Sequence, residues 1–310
     1  MSVLIEVNNL SRHFGQHCAV DDVSFSLNKG EVLGFLGPNG AGKSTTMKMI
    51  CGTLAPSSGE IKINGYDIVE QPRLAKAELG FLPDTPPLYP ELTVNEYLQY
   101  CAKLHGLKAA AITQAVTRGK EKCGLLDVGE RLIANLSKGY QQRIGIAQAI
   151  LHNPSVIILD EPTVGLDPIQ ILEIRQLIRD LGKQHSVILS THILPEVQQS
   201  CSRVQIIHHG KLVLSEDIVS LNNRMSSSSL LIKFNHAADI EKLNVINEIT
   251  EISHLEGNRY RIQHEQHTNP ADAIANMAVN EAWGLLELTP ERHSMEQIFL
   301  SLTQSELIDE

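Results

Sequence analysis

The chain has 310 residues, 42% of them hydrophobic and 20% charged, which is an ordinary soluble composition with room for one large domain and a smaller one. No apolar run nears the roughly 20 residues of a membrane-spanning helix, and the opening "MSVLIEVNNL" is short and carries Glu6 where a signal peptide is apolar, so a cytosolic protein is expected. The net charge of −10 is uneven: residues 221–310 hold six basic and fourteen acidic residues, a balance of −8, which argues against nucleic-acid binding through the tail and for a solvated acidic surface.

In chain order, "VLIEVNNL" and "VDDVSFSLNKG" read as antiparallel hairpin material, with a turn at Asn28-Lys29-Gly30. "EVLGFL" follows as a buried strand of a largely parallel sheet. Directly after it, "GPNGAGKST" matches G-x-x-x-x-G-K-[ST] and precedes the helical "STTMKMICG". That strand–loop–helix context makes Gly37, Pro38, Asn39, Gly40, Ala41, Gly42, Lys43, Ser44 and Thr45 a phosphate cradle. Its glycines let backbone N–H groups point inward at the positive end of the helix. Lys43 adds a point charge toward the β- and γ-phosphates, and Ser44 offers a hydroxyl to Mg²⁺. A triphosphate with Mg²⁺ is therefore the expected ligand, and a GTPase is disfavoured because no N-K-x-D follows the loop.

Farther on, Thr93 and Glu96 in "TVNE" stand at capping-box spacing and start the helix "VNEYLQYCAKLHGL". "LSKGYQQR", Leu136 to Arg143, reads as the lead-in to another helix. In "SVIILDEP" four apolar residues, Val156 to Leu159, form a buried strand that delivers Asp160 to its carboxyl end, where open α/β sheets bind ligands. Asp160 is expected to hold Mg²⁺, and Glu161 to orient and polarise the attacking water. "SVILSTH" is a further buried strand, and the alternation of strands with helices argues an α/β fold. The five cysteines, Cys18, Cys51, Cys101, Cys123 and Cys201, form no C-x-x-C pair and are expected to be reduced structural thiols.

The polar run "LNNRMSSSS", 221–229, interrupts the apolar pattern as a linker does. After it the expected order is strand (230–234), helix (238–245), strand (249–255), strand (259–264), helix (270–279), strand (285–288). That order suits a small ferredoxin-like α+β domain over 230–310, ending in a helix at "SMEQIFLSLT".

Taken in this order, the motifs of residues 1–220 resemble the ATP-binding subunits of ABC transporters, P-loop NTPases with a helical subdomain, here about 90–150, and an antiparallel β subdomain. The resemblance implies further roles. Phe14 matches the aromatic that stacks on adenine. In "LSKGYQQR", Leu136, Ser137 and Gly139 match the family signature, with Lys138 and Tyr140 in place of Gly and Gln. Asp167 lies in "GLDP", the loop that crosses to a second subunit, and His192 matches the histidine at the γ-phosphate. Asp84 stands where the family has a glutamine near Mg²⁺ and the water, adding charge where Gln adds none.

The wording of "LPDTPPLYPELTV" and "STHILPEV" looks most like the exporter branch with an extra C-terminal domain, gliding-motility-like members included. A membrane permease and a second ATP-binding chain, in a homodimer, are the implied partners, and the cytoplasmic face of the membrane the implied location. Two other readings remain at this level: a soluble ABC-type ATPase acting on ribosomes or DNA, and an ATP-holding module with little turnover.

Overall fold

The computed structural model describes residues 2–265 and 268–292. The chain divides into two compact units, Met1–Ile218 and Val219–Glu310.

In the first unit, β1 (Val3–Phe14) and β2 (His17–Asn28) form the expected hairpin, which sets Phe14 opposite His17. The Asn28-Lys29-Gly30 turn closes no second hairpin. It passes the chain into a different sheet, because β3 (Val32–Leu36) is apolar on both sides and is buried only in a sheet covered on both faces. Helix α1 (Lys43–Ile50) follows β3, and β4 (Ser58–Ile63) with β5 (Tyr66–Asp67) completes the antiparallel sheet β2-β1-β4-β5. Next come α2 (Pro72–Ala77) and β6 (Leu79–Leu82). The helical layer is built from α3 (Val94–Leu104), α4 (Ala109–Cys123) and α5 (Lys138–Ile150). α3 opens on the expected capping box: the Thr93 hydroxyl accepts from the Glu96 amide while the Glu96 carboxylate accepts from the Thr93 amide.

The remaining elements are β7 (Val156–Asp160), α6 (Pro168–Gly182), β8 (Ser186–Thr191), α7 (Leu194–Ser200), β9 (Arg203–His208) and β10 (Lys211–Asp217). They close a six-stranded sheet of order β10-β9-β3-β8-β7-β6, parallel except for the edge strand β10. The pleat explains the uninterrupted apolar run of β7. Ile157 and Leu159 pack into the core shared with α3 to α6, whereas Val156 and Ile158 face the core beneath α1 and the antiparallel sheet. Neither face meets water, so β7 is rigid and its last residue is fixed in place.

The polar run 221–229 is not an irregular linker. It is divided between α8 (Ile218–Met225) and β11 (Ser226–Phe234). Ile218 and Leu221, three apart and both buried, give the run a helical apolar edge, and Ser229 takes a ladder position opposite Gln263. The second unit continues with α9 (Ile240–Leu243), β12 (Ile249–His254), β13 (Arg259–His264), α10 (Ala271–Asn280) and β14 (Leu285–Arg292), the strands forming an antiparallel sheet of order β12-β13-β11-β14. Its own core gathers Phe234, Tyr260, Ile262, Ile274 and Trp283, with the Phe234 and Trp283 rings edge-on at 5.5 Å. The terminal helix expected at "SMEQIFLSLT" lies outside the described residues.

The five cysteines form no disulfide with one another, and burial pushes the Cys123 thiol up to about 12 and that of Cys51 well above its ordinary value, as inert structural thiols require.

Since Trp283 belongs to a core of its own, Trp283→Ala is expected to cost that unit about 3–5 kcal/mol. Calorimetry should show one transition moving to lower temperature while the transition of residues 1–218 stays in place.

Candidate nucleotide site

The loop between β3 and α1 takes the form its sequence demands. Gly42 caps α1 at φ +106°, and a Cβ there would lie 2.6 Å from the Ala19 carbonyl oxygen, so no other residue fits. The open N-terminus of α1 therefore points its free N–H groups into a cavity of about 920 Å³. Phe14, Asn39, Gly40, Gly42, Lys43, Ser44, Thr45, Asp84, Glu161 and His192 all line it. Gly37, Pro38 and Ala41 form the body of the loop behind these residues: the Gly37 and Pro38 carbonyls accept from Lys43 at 2.9 and 3.1 Å, and the Ala41 amide donates to the Pro38 carbonyl.

Lys43 is 5% exposed, and Glu161 Oε1 stands 3.3 Å from its ammonium. The other oxygen of Glu161 meets His192 Nδ1 at 2.9 Å. Three residues, the first more than a hundred positions from the other two in sequence, thus share one chain of contacts. Glu161 holds the left-handed φ of +50° with its amide donating to the Ser190 carbonyl, a conformation that a non-glycine residue keeps only where its surroundings over-determine it.

Asp160 is fully buried at the end of β7. Burial raises its carboxyl above the ordinary carboxylate range; the Ser190 and Ser44 hydroxyls pull it down, and the charges of Asp84 and Glu161 push it up further. Its Oδ1 accepts from Ser190 Oγ at 2.7 Å, while the buried Oδ2 has no donor. A buried oxygen without a donor, beside the hydroxyl of Ser44, has the hard-oxygen character a magnesium ion takes. Asp84 is exposed at the same end of the cavity and spends one oxygen on the Thr85 amide.

The expected signature residues do not stay together. Ser137 caps α5, its hydroxyl accepting from the Tyr140 amide, and with Gly139 it lines a separate hollow of about 270 Å³ beside Tyr140, Arg143, Gln170 and Glu173. A Cβ on Gly139 would lie 2.6 Å from the flexible end of the Gln170 side chain, which would have to swing aside. Lys138 points the other way, into the nucleotide cavity of its own chain, with its ammonium against Gly165. Asp167 lines neither space: its carboxylate caps α6 by accepting from the Ile169 and Gln170 amides at 3.0 and 2.9 Å.

The cavity also holds residues that the motifs did not mark, chief among them His17 and Gln142. His17 could have been found from the hairpin, since a two-residue turn after Phe14 must set the two side by side; Gln142 carries no such local sign.

A family model described as ABC transporter matches residues 20–164. The bacitracin transport ATP-binding protein BcrA of Bacillus licheniformis is 32% identical over 97% of this chain and 98% of its own. The linearmycin resistance ATP-binding protein LnrL of Bacillus subtilis (strain 168) is also 32% identical, over 99% and 100% of the two chains. A solved structure described as the ATP-binding subunit of an ABC transporter superposes with a TM-score of 0.65 at 32% identity, covering 78% of this chain and 98% of that one.

Because burial raises Asp160, its charge costs stability in the native fold. The cost is absent while the carboxyl is protonated in both states, grows as pH rises from the unfolded value near 3.8, and is full above the raised folded value. Asp160→Asn is therefore expected to raise Tm at pH 7 without metal or nucleotide, the gain shrinking as pH falls through that window, while ATP hydrolysis is lost. Thermal melts across pH, with a phosphate-release assay, check both parts.

Proposed function

The chain belongs to the family of ABC transporter ATP-binding subunits, ATPases that power transport, and we propose that two copies close over two ATP molecules, each held by the phosphate loop of one and the signature of the other. The observation that carries this reading is the separation of Ser137 and Gly139 from their own phosphate loop. They line a hollow of their own, and a Ser hydroxyl with a helix N-terminus suits a γ-phosphate brought by another chain. Asp167 belongs to the same closed dimer, at the loop between the chains.

Within one site, Phe14 stacks on the adenine and the amides of Gly37 to Thr45 surround the phosphates. Lys43 now satisfies its ammonium with the Gly37 and Pro38 carbonyls and Glu161. A phosphate oxygen at Lys43 replaces part of that set and releases Glu161 from its cation, so substrate binding itself frees the carboxylate to orient water and take its proton. His192, already bonded to Glu161, faces the γ-phosphate and holds that carboxylate in place. Ser44 and Asp160, with Asp84 near them, would hold a magnesium ion, which would supply positive charge to the phosphates. Loss of the γ-phosphate removes the contacts that favour the closed dimer, and the chains part.

No helix among the described residues is long and apolar enough to cross a membrane. We place the chain at the cytoplasmic face, bound through its helical layer to a membrane permease. Export is the favoured direction, because relatives matching nearly the whole chain carry the names bacitracin transport and linearmycin resistance. We assign the second unit to the ferredoxin-like class as the accessory domain of that branch; the strand order β12-β13-β11-β14 supports it.

Glu161→Gln keeps the shape and removes the base. ATP binding should persist, hydrolysis should fall by about 10²-fold or more, and a dimer should accumulate with ATP on size exclusion. Unchanged turnover would remove Glu161 from its role.

A further inference from the structure

Glu196 is a charged residue with 1% exposure that touches neither the nucleotide cavity nor the signature hollow. Its carboxylate is nonetheless fully engaged. One oxygen accepts from the Thr163 hydroxyl, the other from the Thr191 hydroxyl at 2.9 Å, and Arg175 of α6 stands 3.6 Å away. Thr163 lies two residues beyond Glu161, and Thr191 immediately precedes His192. The Thr191 hydroxyl also accepts from the Ile193 amide at 3.1 Å, so it fixes the turn into α7 as well as the carboxylate.

A buried carboxylate is a poor way to gain stability alone, since apolar groups of similar volume often serve as well or better. What it supplies is geometry. Two hydroxyls on segments about thirty positions apart in sequence are tied to a single planar group, which fixes how far apart they stand. The segment beginning at Glu161 needs that restraint. Its first residue holds φ +50°, and its nearest backbone ties are the Glu161 amide to Ser190 and a 3.3 Å bond from the Val164 amide to the Glu161 carbonyl. Relaxing it would move Glu161 relative to His192, whose contact is 2.9 Å.

We propose that Glu196 is a positioning residue for ATP hydrolysis: its carboxylate bridges Thr163 and Thr191, and so holds Glu161 and His192 in the one register that sets the water against the γ-phosphate. The inference rests on the roles given above to Glu161 and His192.

The test measures steady-state ATP hydrolysis by the full chain for Glu196→Gln, Thr163→Val and Thr163→Ser, with Glu161→Gln as the control. Glu196→Gln and Thr163→Val are expected to lower kcat about 10-fold or more, the scale of a sub-ångström to 1 Å misplacement. KM for ATP should stay within about twofold, and Thr163→Ser, which keeps the hydroxyl, should restore kcat to a similar margin. If Glu196→Gln does not fold, the Thr163 pair decides alone. A wild-type kcat in Thr163→Val, an equal loss in Thr163→Ser, or a lowered Tm with kcat intact would each overturn the proposal. An active Glu161→Gln would instead bring down the assignment of the site, and this inference with it.

Discussion

Two carboxylates, Asp84 and Glu161, line the nucleotide cavity and a third, Asp160, lies buried close enough for their charges to raise it; holding that much negative charge beside a polyphosphate is the constraint on which the site depends. Each acid is handled differently. Asp84 stays in water. Glu161 is paired with the Lys43 ammonium and bonded to His192. Asp160 alone is buried with an oxygen left over, and its carboxyl is raised as a result. A triphosphate arriving without a cation would bring more charge of the same sign to a group that already resists ionising. The arrangement therefore favours a nucleotide that comes with its metal.

What could be read from the sequence was whatever a short window encodes. The phosphate loop and the strand ending in Asp160 and Glu161 each carry their strand, turn and helix within about fifteen residues, and the fold keeps them as read. The capping box at Thr93 is equally local. The run at 221–229 misled because serine is a linker residue by composition, yet a strand accepts it wherever a partner ladder exists, and that partner lies more than thirty residues away. Lys138 was grouped with its neighbours for a related reason. Adjacent residues on a helix point about 100° apart, so the signature is split between two spaces. Glu196 left no sign at all, because its partners lie in two other segments and only the folded sheet brings them together.

The split at residues 137–139 gives α6 a particular position in the first unit. At its start it is capped by Asp167 and presses Gln170 against Gly139; one turn on, Glu173 meets Arg143 of α5 at 2.5 Å; and Arg175 reaches the carboxylate of Glu196. One helix thus touches the signature on one side and the group that ties Glu161 to His192 on the other. A helix of fifteen residues shifts as a body rather than bending at each contact. In the closed dimer proposed above, a γ-phosphate set against the signature would therefore meet the same helix whose Arg175 reaches Glu196. Lys138 adds a shorter route, since its ammonium rests on Gly165 at the start of the loop leading into α6. A glycine at position 138, the residue usual in the family signature, would leave that contact unmade. In this chain the loop between the two sites therefore lies between a lysine that reaches it at Gly165 from the signature side and the Glu196 carboxylate that bonds it at Thr163 from the sheet side.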